Sequence, residues 1–90
     1  MSTPDKIRQR LAPLSPEHLE IEDESARHAG HEGAKGGGGH YRLTIVSARF
    51  TDKSLLARHR AINELLGDML QNEIHAISIK AYAPGENQKP

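Results

Sequence analysis

The stretch "HYRLTIVSARFTDKSLLARHRAINELLGDMLQNEIHAISIKAY", residues 40–82, decides the fold. It opens on an alternating run. Tyr41, Leu43 and Ile45 share one face and Arg42, Thr44 and Val46 the other, which is the period of a strand. The period then changes. Leu55, His59, Ile62, Leu66 and Met69 make a heptad-like apolar stripe, flanked by Leu56, Leu65 and Leu70, and predict a helix over roughly 54–71. Asp52 or Ser54 can cap it, Gly67 weakens it slightly, and Asn72 is a stop signal. The closing "IHAISIKAY" alternates again, with Ile74, Ala76 and Ser78 on one side and His75, Ile77 and Ile79 on the other. Both sides are largely apolar, which predicts a strand that is not an exposed, half-polar edge.

A strand, a helix and a second strand in one sheet run parallel with a right-handed crossover. Upstream, "HLEIEDES" (18–25) sets Leu19 and Ile21 against Glu20 and Glu22, the pattern of a half-buried strand with an acidic outer face. It precedes the strand at 40–47 as the first arm of a hairpin. "STPDKIRQRL" (2–11) reads as a short helix. Thr3 is the expected cap, Pro4 suits the first helical position, and Asp5 favours the positive end. Ile7 and Leu11 give its narrow apolar stripe, and Pro13 and Pro16 end it. The order is α-β-β-α-β. The expected fold class is α/β (α+β): a two-layer sandwich with a three-stranded mixed sheet and the helices on one face. Residues 1–84 are expected to form one domain, and 85–90 a disordered polar tail.

Ninety residues, 36% of them hydrophobic and three aromatic, suffice for one small core. The absence of cysteine excludes disulfides, thiol nucleophiles and thiolate metal sites owned by this chain alone. No apolar run approaches membrane-spanning length, and no leader pattern opens the sequence, so the expectation is a cytoplasmic protein without a membrane partner. Formal net charge is zero, but residues 40–60 carry five Lys/Arg against Asp52 alone. The sequence shows no nucleophile elbow and no paired-carboxylate cleft; Asp23 and Glu24 read as solvated charges. An enzyme is not expected.

Between the first two strands lies "HAGHEGAKGGGGH", residues 28–40, with three histidines and six of the eight glycines. A phosphate cradle links strand to helix and carries GK[ST] or GxGxxG in that context; here glycines link strand to strand. A nucleic-acid clamp of the KH type needs GxxG between helices, and "FTDKSLLARHR" has no glycine. A zinc site built from these histidines alone would lack thiolates and any helical HxxxH. The topology does make one positive prediction. Parallel strands begin at the same end of a sheet, so His28, His31, His40 and His75 should gather there.

"VSARFTDKSLLARHRAINELL" followed by "IHAISIKAYAP" resembles the BolA family, with its V-S-x-x-F-x-x-x-x-L-x-R-H-R core and its I/V-H-A strand. "EDESARH" is similar to the family's first strand and following loop, and "HYRLTIVS" to its second strand. The likeness covers about residues 5–84. It departs from the family at Asp52, where glycine is frequent, in the stretched "GGGG" loop, and in "PGENQKP" where many members carry a short last helix.

The resemblance implies a topology like that of class II KH domains and two functional pictures. In one, the chain pairs with a monothiol (CGFS-type) glutaredoxin and shares a bridging [2Fe–2S] cluster, with the partner's cysteine and glutathione completing the coordination. His75 is then the ligand. His28 matches the family's loop histidine, and His40 and His31 are further candidates at the same end. No cofactor is expected in the isolated chain. In the other picture the chain regulates transcription linked to stress and cell shape by binding double-stranded DNA. Arg49, Lys53, Arg58 and Arg60 are then the phosphate contacts, with Arg58 and Arg60 directed to solvent or the sheet edge and His59 in the core or at a cap. An interaction domain without cofactor is the plain alternative.

Overall fold

The computed structural model describes residues 2–24 and 39–86. They form α1 (Thr3–Leu11), β1 (His18–Asp23), β2 (Gly39–Val46), α2 (Leu55–Leu66) and β3 (Ile74–Tyr82), with 3-10 turns at Ala12–Leu14, Ala48–Phe50 and Gly67–Leu70. β2 is central, antiparallel to β1 and parallel to β3. The expected order and the mixed three-stranded sheet are found. β3 is nevertheless an edge strand, contrary to the expectation from its two apolar faces. Ala76 reads as apolar, yet it is small and exposed beside the equally exposed Ser78 and Lys80. Such a face needs no cover.

The core lies on the other face. Leu43 and Ile45 of β2 are fully buried against Ile7 and Leu11 of α1, Ile62 and Leu66 of α2, Met69 and Phe50. Burial of each large aliphatic or aromatic side chain contributes about 1.5–3 kcal/mol, so this cluster sets the stability of so small a domain. Ser47 is also buried. Its hydroxyl donates to the Leu14 carbonyl at 2.6 Å and accepts from the Arg49 amide at 3.1 Å, joining the turn after α1 to the turn after β2.

The helix ends differ from expectation. Ser2, one residue before Thr3, caps α1 by accepting from the Asp5 amide at 3.2 Å. Ser54 caps α2 by accepting from the Ala57 amide at 3.1 Å. Asp52, the other cap candidate, instead adopts a left-handed backbone with φ of 64°, a conformation glycine takes most easily. α2 stops at Leu66, short of the expected residue 71, because Gly67 turns to φ of 53°. Arg10 of α1 covers the opened end. Its Nη1 donates to the Leu66 carbonyl at 2.9 Å, and its Nη2 pairs with Asp68 at 3.1 Å. Asn72, expected as the stop, donates from Nδ2 to the Asp68 carbonyl.

The buried face of α2 is also shifted. Arg58, Ile62 and Leu66, spaced four apart, point inward, whereas Leu55 is 66% exposed and Leu56 61% exposed. His59 is half-buried. The heptad reading fails at Leu55, which with Leu56 stands outside the buried cluster.

Residues 87–90 of the expected tail lie outside the described residues. Gly85 and Glu86 belong to a turn, and the Glu86 amide donates to the Ala83 carbonyl at 3.1 Å.

Candidate functional site

The parallel pairing of β2 and β3 contains one irregularity. Gly39 pairs with Ile74 and His40 pairs with Ala76, so His75 is the extra residue of a β-bulge. Strict alternation would place Ile74 with Ala76 and Ser78. The bulge overturns that assignment: Ile74 is buried in the core, and His75 and the next residue are both exposed. Bulges of this kind re-aim a side chain, and here the side chain is the imidazole of His75.

β2 starts beside the bulge and is held on both sides. The Gly39 amide donates to the Glu73 carbonyl at 3.0 Å, and the His40 carbonyl accepts from the Glu24 amide at 2.7 Å. Gly39 leaves room for a close approach. A Cβ there would lie 2.5 Å from the Tyr41 ring, which folds back along the strand over the glycine. On the other side of the bulge, Lys6 of α1 donates to Glu73 at 2.8 Å. That hydrogen bond is the first cause holding the Glu73 carboxyl below its ordinary range.

The outcome is that His40 and His75 meet. Their ring centroids are 5.0 Å apart and the planes are tilted by 42°. His40 is half-buried and His75 exposed, so one imidazole backs the other at the rim of the sheet. The gathering predicted from topology is found for these two histidines; His28 and His31 lie outside the described residues. Alongside is a cavity of about 210 Å³ lined by Glu24, His40, Tyr41, Ala76, Ile77 and Ser78. It is smaller than the roughly 300–1,000 Å³ common for small-molecule sites. Arg42 crosses toward it, pairing with Glu24 at 3.3 Å and Glu22 at 3.8 Å.

The basic residues do not form one set. Arg49, Lys53 and Arg60 are exposed. Arg58 is buried, which corrects the solvent-facing expectation. Its Nε donates to the Lys53 carbonyl at 2.9 Å and its Nη1 to the Ala81 carbonyl at 3.1 Å. The same guanidinium grips Glu86 and lies 5.9 Å from the Phe50 ring centroid. A guanidinium can take an interior position when its donors meet acceptors, and the two carbonyls and the Glu86 carboxylate supply four of them. Glu86, which composition assigns to a polar tail, is thus part of the fold. The spacing 58–62–66 was the available signal for Arg58; nothing in the sequence pattern points to its partner.

Among the described residues no three His, Asp or Glu side chains converge as a metal cage. No helix among them is long and apolar enough to cross a membrane.

Comparison with known proteins agrees with this geometry. The family model described as BolA-like protein matches residues 11–86. SufE-like protein 1 of Arabidopsis thaliana is 46% identical over 87 residues, which span 90% of this chain but only 24% of that protein. The solved BolA domain of the same Arabidopsis protein superposes with a TM-score of 0.78 at 44% identity, covering 96% of this chain and 98% of the domain. A protein of Vibrio cholerae named DNA-binding transcriptional regulator BolA is 37% identical over 86 residues, 94% of this chain and 78% of that one. With Val46, Ser47 and Phe50 of V-S-x-x-F and Arg58 of R-H-R buried, and the I-H-A residues building the bulge, the chain belongs to the BolA family.

Proposed function

We propose that this chain is a non-enzymatic cytoplasmic adaptor that pairs with a monothiol glutaredoxin and shares a bridging [2Fe–2S] cluster, in iron–sulfur trafficking or iron and redox sensing. The observation that carries the reading is the exposed His75 on its bulge, 5.0 Å from His40 at the same sheet end. The donor set suits a shared site. An exposed imidazole is open to a second protein, and a chain without cysteine needs that protein's thiolate to complete an iron–sulfur centre. His75 would hold iron, with His40 and the loop histidines His28 and His31 as further donors; glutathione and the glutaredoxin supply the remainder. The cluster would bring a one-electron, transferable iron centre. The chain's own part is orientation. The bulge fixes where His75 emerges, and an imidazole ligates metal through a ring nitrogen.

Co-expression with a monothiol glutaredoxin under anaerobic conditions, read by the visible spectrum of the purified complex, tests this. The parent should yield a cluster-bearing complex, and His75→Ala should alter or abolish its spectrum. An unchanged spectrum and cluster lifetime in His75→Ala would remove the assignment.

A second reading is supported by the Vibrio relative's name and by the exposed cations Arg49, Lys53 and Arg60. It is duplex-DNA binding in transcription regulation. Affinity would then fall steeply with salt, and charge reversal at Lys53 and Arg60 would abolish binding while His75→Ala would not. Arg58 has no part in it, its donors being committed inside the fold.

A further inference from the structure

The two exposed leucines of α2 are used by neither reading. Leu55 and Leu56 open the helix at 66% and 61% exposure. They are the large hydrophobic residues that stand most clear of the core among the described residues. The side chains near them in the chain are cationic and exposed. Arg49 sits in the turn before the helix, Lys53 just ahead of the Ser54 cap, and Arg60 one turn after Leu56 on the same helical face. Asp52 is the only acidic residue between positions 40 and 60, and Glu86 is neutralised by Arg58. The patch is apolar at its centre and positive at its rim.

Its location follows from the topology. β2 ends at Val46 and feeds the turn that leads to α2, and Arg58 reaches the Ala81 carbonyl near the end of β3. His40 and His75 stand where these strands begin. The leucine patch is therefore toward the opposite end of the sheet; the end of β2 itself lies six residues from His40, about 20 Å at the usual rise of a strand.

We infer that this patch is a docking site for an acidic amphipathic helix of a partner protein, occupied independently of the histidine end. Charge and apolarity together identify the occupant. A leucine pair at the start of a helix takes the apolar stripe of a partner helix, and the three cations pair with carboxylates flanking that stripe. DNA would engage the cations and leave the leucines idle. A bilayer needs a long apolar face, whereas the inward face of this 12-residue helix is already committed to the core. The chain then joins two proteins, one at each end of its sheet.

The test uses the full chain and a synthetic fluorescent peptide with leucines at i, i+3, i+4 and i+7 and glutamates between them. A second peptide of the same composition has the order scrambled. The parent should bind the first at least about tenfold more tightly than the second, a difference of about 1.4 kcal/mol. The double variant Leu55→Ser, Leu56→Ser and the single variant Arg60→Glu should each weaken binding by about tenfold or more, with unchanged thermal midpoints because all three side chains are exposed. Arg60→Lys should retain binding. Equal affinity for the two peptides would overturn the inference, as would undiminished binding by the leucine variant. So would binding confined to phosphatidylglycerol vesicles or to duplex DNA. His75→Ala should bind the peptide like the parent, which keeps this result separate from the glutaredoxin reading; loss in that variant would contradict two independent ends.

Discussion

The guanidinium of Arg58 and the carboxylate of Glu86 form a two-pronged pair at 2.6 and 3.1 Å, and Glu86 Oε1 also accepts the Ala83 amide at 2.9 Å. Arg58 simultaneously satisfies carbonyls of Lys53 and Ala81. One side chain thus joins the approach to α2, the end of β3 and the last described turn. Arg58→Met keeps the stem but leaves these acceptors without their donor. It should lower stability by about 2–4 kcal/mol in urea unfolding. A variant as stable as the parent would show that the interior arginine is dispensable.

The same pair gives an acid signature. The hydrogen bond from Arg58 is the first cause that lowers the Glu86 carboxyl from 4.5 to about 2. Because the folded value is depressed, the stabilisation is complete above the unfolded value near 4.5 and is lost as pH falls toward about 2. Glu86→Gln should flatten the stability curve in that window and leave its shape above pH 6 unaltered. Parallel curves for parent and variant across pH 2–5 would count against the clamp.

Ser47 makes a narrower prediction. Replacing it by alanine leaves the Leu14 carbonyl and the Arg49 amide without the hydroxyl they share. Stability should fall by about 1–3 kcal/mol, the range for a buried polar group left unsatisfied. Thermal unfolding monitored by circular dichroism reads this directly.

Asp52 works in the opposite sense. Its φ of 64° carries a penalty for a residue with a Cβ, which glycine avoids at the expense of a more flexible unfolded chain. Asp52→Gly should raise stability by up to about 1 kcal/mol in equilibrium unfolding, and Asp52→Val should lower it.

Gly39→Ala probes the histidine end. The added methyl meets the Tyr41 ring, itself buried in the core, so the ring must move. Stability should fall by about 1–3 kcal/mol, and the ring resonances of Tyr41, His40 and His75 should shift together in NMR spectra. His75→Ala, by contrast, removes an exposed side chain and should change stability by less than about 0.5 kcal/mol. Shifts confined to Tyr41 would show that Gly39 does not position the imidazoles.

The alternation of residues 41–46, the helical period after Ser54 and the parallel-crossover rule were enough to read the element order, the strand directions and the meeting of His40 with His75, but not the edge position of β3. What escaped had physical causes. The bulge at His75 breaks the period of two on which face assignment rests, so Ile74 and His75 appear on the wrong sides. The interior position of Arg58 depends on carbonyls of Lys53 and Ala81 and on Glu86, brought together only by folding. The exposure of Leu55 and Leu56 depends on which segments the fold brings against the first turn of α2, which no local pattern encodes. At Gly67, propensity points to a mild weakening, while the positive φ and the donors of Arg10 make it a terminus.

The bracing of β2 on both flanks bears on how the chain can vary. His40 is aligned by Glu24 on one side and, through Gly39, by Glu73 on the other, and its neighbour His75 is set by the pairing of β3. None of these constraints runs through the number of residues connecting Glu24 to Gly39. Lengthening or shortening that connection would leave these constraints, and with them the register of the two imidazoles, in place.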